Sequence, residues 1–288
     1  MTEFTVLTIN ILDDLSHWNA RREVLLNQIN ALEPELIALQ EVAVYKGENT
    51  AQWLADQLNG GDEPPDPPYE LHLIPDNGAK SRTGAIAVLS RWPIKRNERL
   101  VFEDQNHSVQ LVRVRVDETA IILVNVLYYH QEEEEAVLRP DSIEKLLDKL
   151  DQQSVAIPVL ICGDFGTTPS SPSIQTMRKY FDSAHKQIHG HEPEYTYPTP
   201  LPLSWQVKFV DWLESTLGNH NDNGADAAGT VAAVNGDEDL RVTLDYIFAD
   251  PRLQILDCQI VCDQPSPQDE KIYPSDHFGL FAELEAVK

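Results

Sequence analysis

What most limits the fold of this chain is the way Val- and Ile-rich apolar runs stop abruptly at a polar residue or a glycine. Such runs occur at Val6 to Ile11, Leu36 to Leu39, Ala85 to Leu89, Val109 to Val116, Ala120 to Tyr128, Ile157 to Ile161, Leu244 to Phe248 and Phe278 to Leu284. Short β-branched runs with sharp ends favour strand over helix. Helical periodicity appears at Arg21 to Leu32, Thr50 to Leu58 and Ser142 to Leu150, where Ile143, Leu146, Leu147 and Leu150 form one apolar stripe. Ala85 to Tyr128, by contrast, reads as consecutive strands joined by short turns. Strands separated by helices pair in parallel and consecutive strands pair antiparallel, so the pattern predicts an α/β sandwich with mixed sheets.

Gly61 to Pro68, with four prolines in eight residues, and Gly218 to Asp239, rich in Gly, Asn, Asp and Ala, read as loops. Neither reads as a domain boundary, because the polar motifs that must converge straddle both. Residues 1–288 are therefore expected to form one domain.

Five segments carry candidate chemistry: Thr8-Ile9-Asn10; Leu39-Gln40-Glu41; Val124-Asn125 followed by His130; Cys162-Gly163-Asp164-Phe165; and Leu244-Asp245-Tyr246 paired with Ser275-Asp276-His277. Each places a polar residue where an apolar run ends, which is where loops converge on ligands in α/β sheets. Glu41, Asp276 and the amide oxygen of Asn10 offer the oxygen ligands that a hard cation such as Mg²⁺ prefers. Phosphoester hydrolysis needs a deprotonated, aligned water and positive charge on the phosphoryl oxygens. Asp164 can accept the water's proton, a protonated His277 can steady the phosphoryl oxygens, and Asp245 is the carboxylate placed to orient that imidazole. Any one of these motifs could be an ordinary turn or a solvated strand end. Their joint order from Asn10 to His277 is what points to a site.

Charge narrows the substrate. The 47 acidic and 22 basic residues give a net charge of −25, a field that disfavours non-specific duplex binding and favours a small or lipid-like phosphoester over duplex nucleic acid. The N-terminal residues lack the basic and apolar character of a signal peptide, and no apolar run approaches the ~20 residues of a membrane span, so a soluble cytoplasmic protein is expected. Cys162, Cys258 and Cys262 are wrongly spaced for a disulfide framework or a zinc site and read as core thiols. Glu132 to Glu135 reads as a solvated face. His185, His189 and His191 crowd one apparent loop without a helical i, i+4 pair, which argues against zinc.

The order Asn, Gln-Glu, Gly-Asp-Phe, Leu-Asp-Tyr-Ile-Phe, Ser-Asp-His resembles the endonuclease/exonuclease/phosphatase superfamily, which includes pancreatic-type deoxyribonucleases, abasic-site endonucleases, neutral sphingomyelinases and inositol polyphosphate 5-phosphatases. Thr83 to Ile94 is similar to that family's Gly-x-Ala-Ile-x-Leu-Ser-Arg-x-Pro-Ile strand. The resemblance spans Val6 to Leu284 and implies a four-layer α/β sandwich, two packed mixed sheets flanked by helices, with Mg²⁺ or Mn²⁺ catalysis. It implies that Glu41 is the principal metal ligand, with Asn10 a second ligand or its support and Asp276 a further metal-side carboxylate. Asp164 would orient or deprotonate the water, His277 would contact the phosphate, and Asp245 would orient His277. Asn125, in the family's Asn-x-His motif, falls on the substrate side.

The chain departs from the family pattern twice. Gly166 stands where the family's Gly-Asp-Phe-Asn motif has its amide, and Leu127 stands where a second catalytic histidine or a tyrosine belongs. His130, three residues on, is the candidate to replace that histidine, with a surface position as its alternative. The expected function is a divalent-metal-dependent hydrolase of phosphate mono- or diesters. The alternative is a catalytically degenerate member that binds a phosphate ligand or a protein.

Overall fold

The computed structural model describes residues 2–45, 47–61, 64–75, 84–100, 107–128, 140–154, 157–205 and 241–286. The candidate His130, the run Glu132 to Glu135 and the loop Gly218 to Asp239 lie outside them.

Among the described residues, two sheets form the centre. The first has seven strands: β1 (Thr2–Asn10), β2 (Leu36–Tyr45), β3 (Glu48–Asn49), β4 (Glu70–Pro75), β5 (Gly84–Ser90), β12 (Leu253–Val261) and β13 (Gly279–Ala286). Its main path runs β12-β13-β1-β2-β5-β4. The second has six: β6 (Ile94–Leu100), β7 (His107–Val116), β8 (Thr119–Tyr128), β9 (Val159–Asp164), β10 (Asp182–Ser183) and β11 (Asp245–Ala249), in the order β10-β11-β9-β8-β7-β6. β1–β2 and β8–β9 pair in parallel, each across an intervening helix, and the remaining pairs are antiparallel. The sheets are thus mixed, as the helix-and-strand pattern requires.

Side-chain alternation makes the layers. In β1, Phe4 and Val6 face the second sheet, where they meet Val112, Leu123, Cys162 and Ile247. Leu7 and Ile9 turn the other way, onto α1 (Trp18–Leu32) and α2 (Thr50–Gly60). The outer face of the second sheet packs Val124, Ile161 and Phe248 against α3 (Pro140–Ser154) and α4 (Pro172–Met177). Helices, sheet, sheet, helices give the four-layer α/β sandwich. All three cysteines are buried, and no described helix is long and apolar enough to cross a membrane.

Three departures from the sequence reading bear on the site. β2 continues to Tyr45 rather than stopping at Leu39, so Glu41 sits within a strand. Asn125 likewise lies inside β8. The histidines do not share a loop: His185 and His189 are four apart on α5 (Ala184–His189). Each of the three gives a ring nitrogen to a backbone carbonyl, of His191, Cys258 and Glu192 respectively.

Candidate active site

The polar motifs meet because antiparallel pairing puts strand starts beside strand ends. β9 ends at Asp164, and its antiparallel neighbour β11 begins at Asp245 directly opposite. In the other sheet β1 ends at Asn10, beside β13, which begins just after Ser275-Asp276-His277. Asp245 thus opens its strand and His277 precedes its own, rather than ending them, yet they reach the same edge of the sandwich.

Two hydrogen bonds join the sheets there. Asn10 Nδ2 donates to Asp164 Oδ2 at 3.0 Å, and His277 Nδ1 pairs with Asp245 Oδ2 at 2.9 Å. The opposite ring nitrogen, Nε2, lies 3.9 Å from Asp164 Oδ2, too far for a direct hydrogen bond. Gly166 N donates to Asp164 Oδ1 at 2.8 Å. Ser275 Oγ donates to the Asn10 carbonyl at 2.6 Å, binding the two motif-bearing turns of the first sheet together.

Electrostatics follow from burial. Desolvation opposes a charged His277, but the Asp245 and Asp164 carboxylates outweigh it and raise the pKa to about 10. Burial raises the Asp164 carboxyl to about 7, with Asp245 adding to the rise and the His277 charge opposing it. The Tyr197 ring lies 4.5 Å from the His277 ring. Burial pushes its hydroxyl well above the usual range, and the Asp276, Glu41 and Asp164 carboxylates push it further. Those carboxylates therefore crowd one place.

Glu41 reaches that place through a β-bulge. The β2–β5 register shifts between Leu39 and Val42, and Glu41 takes a left-handed φ of 51°. Ile37, Leu39 and Val42 all face the helices, so unbroken alternation would have sent Glu41 into that apolar layer. The bulge turns it away, at the cost of a conformation that L-residues disfavour.

Asn125 is fully buried between the sheets. Its amide nitrogen donates to the carbonyls of Leu39 at 3.1 Å and Ala87 at 3.0 Å, and its Oδ1 accepts from Gln40 Nε2 at 2.7 Å. The structure therefore places it beneath the bulge rather than facing a substrate, with its hydrogen-bonding groups spent on β2, which carries Glu41, and on its neighbour β5.

The two family departures have local causes. Leu127 packs with Ile74 and Ile86 in a small apolar cluster. Gly166 has φ +56°, and a Cβ there would come within 2.7 Å of the Tyr128 carbonyl oxygen. Asparagine tolerates that φ, but the carbonyl blocks the side chain. Gly166→Asn is consequently expected to strain this turn instead of restoring a phosphate contact, and a melting temperature equal to wild type would contradict this.

Two residues at the site escaped the sequence reading. Tyr197 belongs to the stretch from Tyr195 to Trp205, which carries none of the five candidate motifs. That stretch is held against the Ser-Asp-His motif by Thr199 N to Asp276 O at 2.9 Å and Thr199 Oγ1 to Ser275 O at 2.7 Å. Arg21 lies on the buried face of α1 with Trp18, Leu25 and Ile29. A charged residue within that apolar stripe was the signal available.

The donor set suits a hard cation. Glu41 and Asp276 are carboxylates, and Asn10 offers an amide oxygen. Among the described residues four buried carboxylates, these two with Asp164 and Asp245, meet one imidazole and one guanidinium, Arg21. A divalent cation would balance that excess of negative charge. Among the described residues Asp164, Asp245 and His277 also form a carboxylate-histidine group compact enough to hold an ion.

A two-sheet sandwich with this acidic and histidine-bearing edge has the framework of a metal-dependent phosphoesterase. The chain belongs to the Endonuclease/Exonuclease/phosphatase family, whose model matches residues 7–277. No curated protein sequence matches it. Among solved structures, an endonuclease/exonuclease/phosphatase from Bacteroides vulgatus superposes with a TM-score of 0.69 at 17% identity, covering 99% of this chain and 100% of that one. Truncated Caenorhabditis elegans TDP2 gives a TM-score of 0.66 at 15% identity, with 99% and 98% covered. The human Nocturnin catalytic domain with bound sulfate anion gives 0.66 at 18% identity, with 99% and 94% covered. At these identities the neighbours establish the fold.

Proposed function

We propose that residues 1–288 act as one domain that hydrolyses phosphate mono- or diesters with Mg²⁺ or Mn²⁺, and that a small or lipid-like phosphoester is preferred to duplex nucleic acid. The observation that carries this is the pair of cross-sheet contacts, Asn10 to Asp164 and Asp245 to His277, beside a carboxylate cluster short of positive charge. Glu41, Asp276 and Asn10 would hold the cation. When bound it supplies Lewis-acid polarisation of a phosphoryl oxygen and a more acidic water.

The chain's own groups do the rest. Asp164, raised towards neutrality, accepts the proton of the attacking water. His277 holds its Nδ1 proton against Asp245, which leaves the Nε2 proton for a phosphoryl oxygen. The 3.9 Å between Nε2 and Asp164 Oδ2 leaves both free to engage a third atom. Net charge of −25 supports the small or lipid-like substrate.

Purified protein, incubated with an aryl phosphodiester and an aryl phosphomonoester with and without Mg²⁺, tests the reading. Metal-dependent release that disappears in Glu41→Ala supports it. The second reading, a catalytically degenerate binding module, is favoured by the apolar packing of Leu127 and the blocked position at Gly166. No release with either ester or metal, alongside saturable phosphate binding, would establish that reading instead.

His277 and Asp245 are expected to act as a unit. His277→Ala and Asp245→Ala should each slow turnover severely, with the double variant little slower than either. Fully additive losses in a double-mutant cycle would show that they act apart.

A further inference from the structure

We infer that Arg21 is a positioning residue that clamps together the two chain segments bearing Asn10 and Asp276. This role presupposes the reading of those residues as cation ligands. Helix α1 drives the Arg21 side chain inward, where it is fully buried. Nη1 donates to the carbonyls of Ile11 at 3.0 Å and Pro274 at 2.8 Å. Nη2 donates to Leu12 at 3.0 Å and Asp14 at 3.1 Å. Ile11 and Leu12 follow Asn10 directly, and Pro274 immediately precedes Ser275-Asp276-His277. One planar fork therefore ties the exit of β1 to the approach to β13, segments 253 residues from the arginine in sequence at their far end.

The clamp extends to ligand geometry. Leu12 holds a left-handed φ of 57°, and its N–H donates to Asn10 Oδ1 at 3.0 Å. Fixing the Leu12 carbonyl thus fixes the turn that aims the Asn10 amide. On the other side, Ser275 bonds both the Asn10 carbonyl and Asp276 Oδ1, so the Pro274 contact anchors the same unit.

Charge adds a second effect. The guanidinium sits close enough to Asp276, Asp14, Asp13 and Glu41 for each to favour its charged form against the cost of burial. All four terminal nitrogen contacts go to backbone carbonyls, so the positive charge eases repulsion between Glu41 and Asp276 without occupying their oxygens. Fold stability alone would be served at this helix position by an apolar residue, since a buried charge costs desolvation. Lysine cannot substitute, because a point-like ammonium lacks the fork that reaches four carbonyls.

The test compares Arg21→Lys with Ile29→Ala, a large-to-small change on the same buried helix face. Amide hydrogen exchange is read at Leu12 and His277, and Mg²⁺ affinity by calorimetry without substrate. Arg21→Lys should speed exchange at both amides by roughly 10-fold or more and weaken Mg²⁺ binding roughly 10- to 100-fold, as loss of an outer support typically does. Ile29→Ala should lower the melting temperature while leaving both readings at wild-type values. If Arg21→Lys does not fold, Arg21→Gln takes its place. Exchange that does not rise above that of Ile29→Ala overturns the clamp. A wild-type protein that binds no Mg²⁺ would overturn the hydrolase reading instead, and the exchange measurement would still decide the clamp.

Discussion

Asp164→Asn is expected to leave the protein folded and to slow metal-dependent phosphodiester hydrolysis by roughly 10²- to 10⁴-fold, the range for removal of a general base. The substitution keeps the shape of the side chain and removes its capacity to take a proton. KM should change little, since the lost interaction belongs to the transition state. Stability should move the opposite way. Burial raises the Asp164 carboxyl to about 7, against an ordinary value near 3.8, so ionising it in the folded protein is unfavourable. A folded-state pKa above the unfolded one means stability present at low pH and lost as pH rises through about 7. Without metal, Asp164→Asn should therefore melt no lower than wild type at pH 8, with any advantage shrinking towards pH 4. Turnover within threefold of wild type would remove Asp164 from the chemistry.

Gly163→Ala should have the largest effect on folding. Gly163 has φ +136°, and a Cβ there would lie 2.1 Å from the Val126 carbonyl oxygen and 2.9 Å from the Val126 nitrogen. Val126 is its partner in the parallel β8–β9 pairing, and both obstructing atoms are backbone, so no rotamer change relieves the overlap. β9 must move off β8 and carry Asp164 with it. The cost falls among the exceptional single substitutions, about 4–5 kcal/mol, out of a total of roughly 5–15 kcal/mol for a native protein. A urea titration should show a midpoint far below wild type, and thermal melting should fall by on the order of 10 °C. A variant that melts with the wild type would mean that β8 and β9 are not paired in this register.

These two neighbours show what the sequence made readable. The Gly-Asp-Phe motif announces a strand end, and the meeting of Asp164, Asp245, His277 and Asn10 could be expected because each follows or precedes a short apolar run. Glu41 was harder. Its motif looked like a strand end, whereas its orientation depends on a bulge that arises only when β2 meets β5. Asn125 looked like a site residue for the same reason and lies inside a buried polar bridge.

Arg21 and Tyr197 were not legible, because their roles come from contacts with residues far away in the chain. A charged residue in the apolar stripe of α1 marks Arg21 as unusual, but its role appears only when Pro274 is found beside it. Among the strands outside the apolar runs, β4 and β12 escape for a local reason. β12 alternates buried and exposed positions as LQILDCQIV, and β4 buries only one of its six residues, so neither shows the continuous apolar run that marks the central strands.

Asn10, Glu41, Asp276 and His277 ride on one sheet, while Asp164 and Asp245 ride on the other. The spacing between the sheets is set by residues such as Val6, Val112, Leu123 and Ile247, none of which belongs to either cross-sheet contact. Bulkier or slimmer side chains in that layer would slide or tilt one sheet on the other and alter both cross-sheet contacts at once. The rate of such a hydrolase is therefore adjustable from its interior, so two members with identical site residues can differ in speed through the thickness of the filling between their sheets.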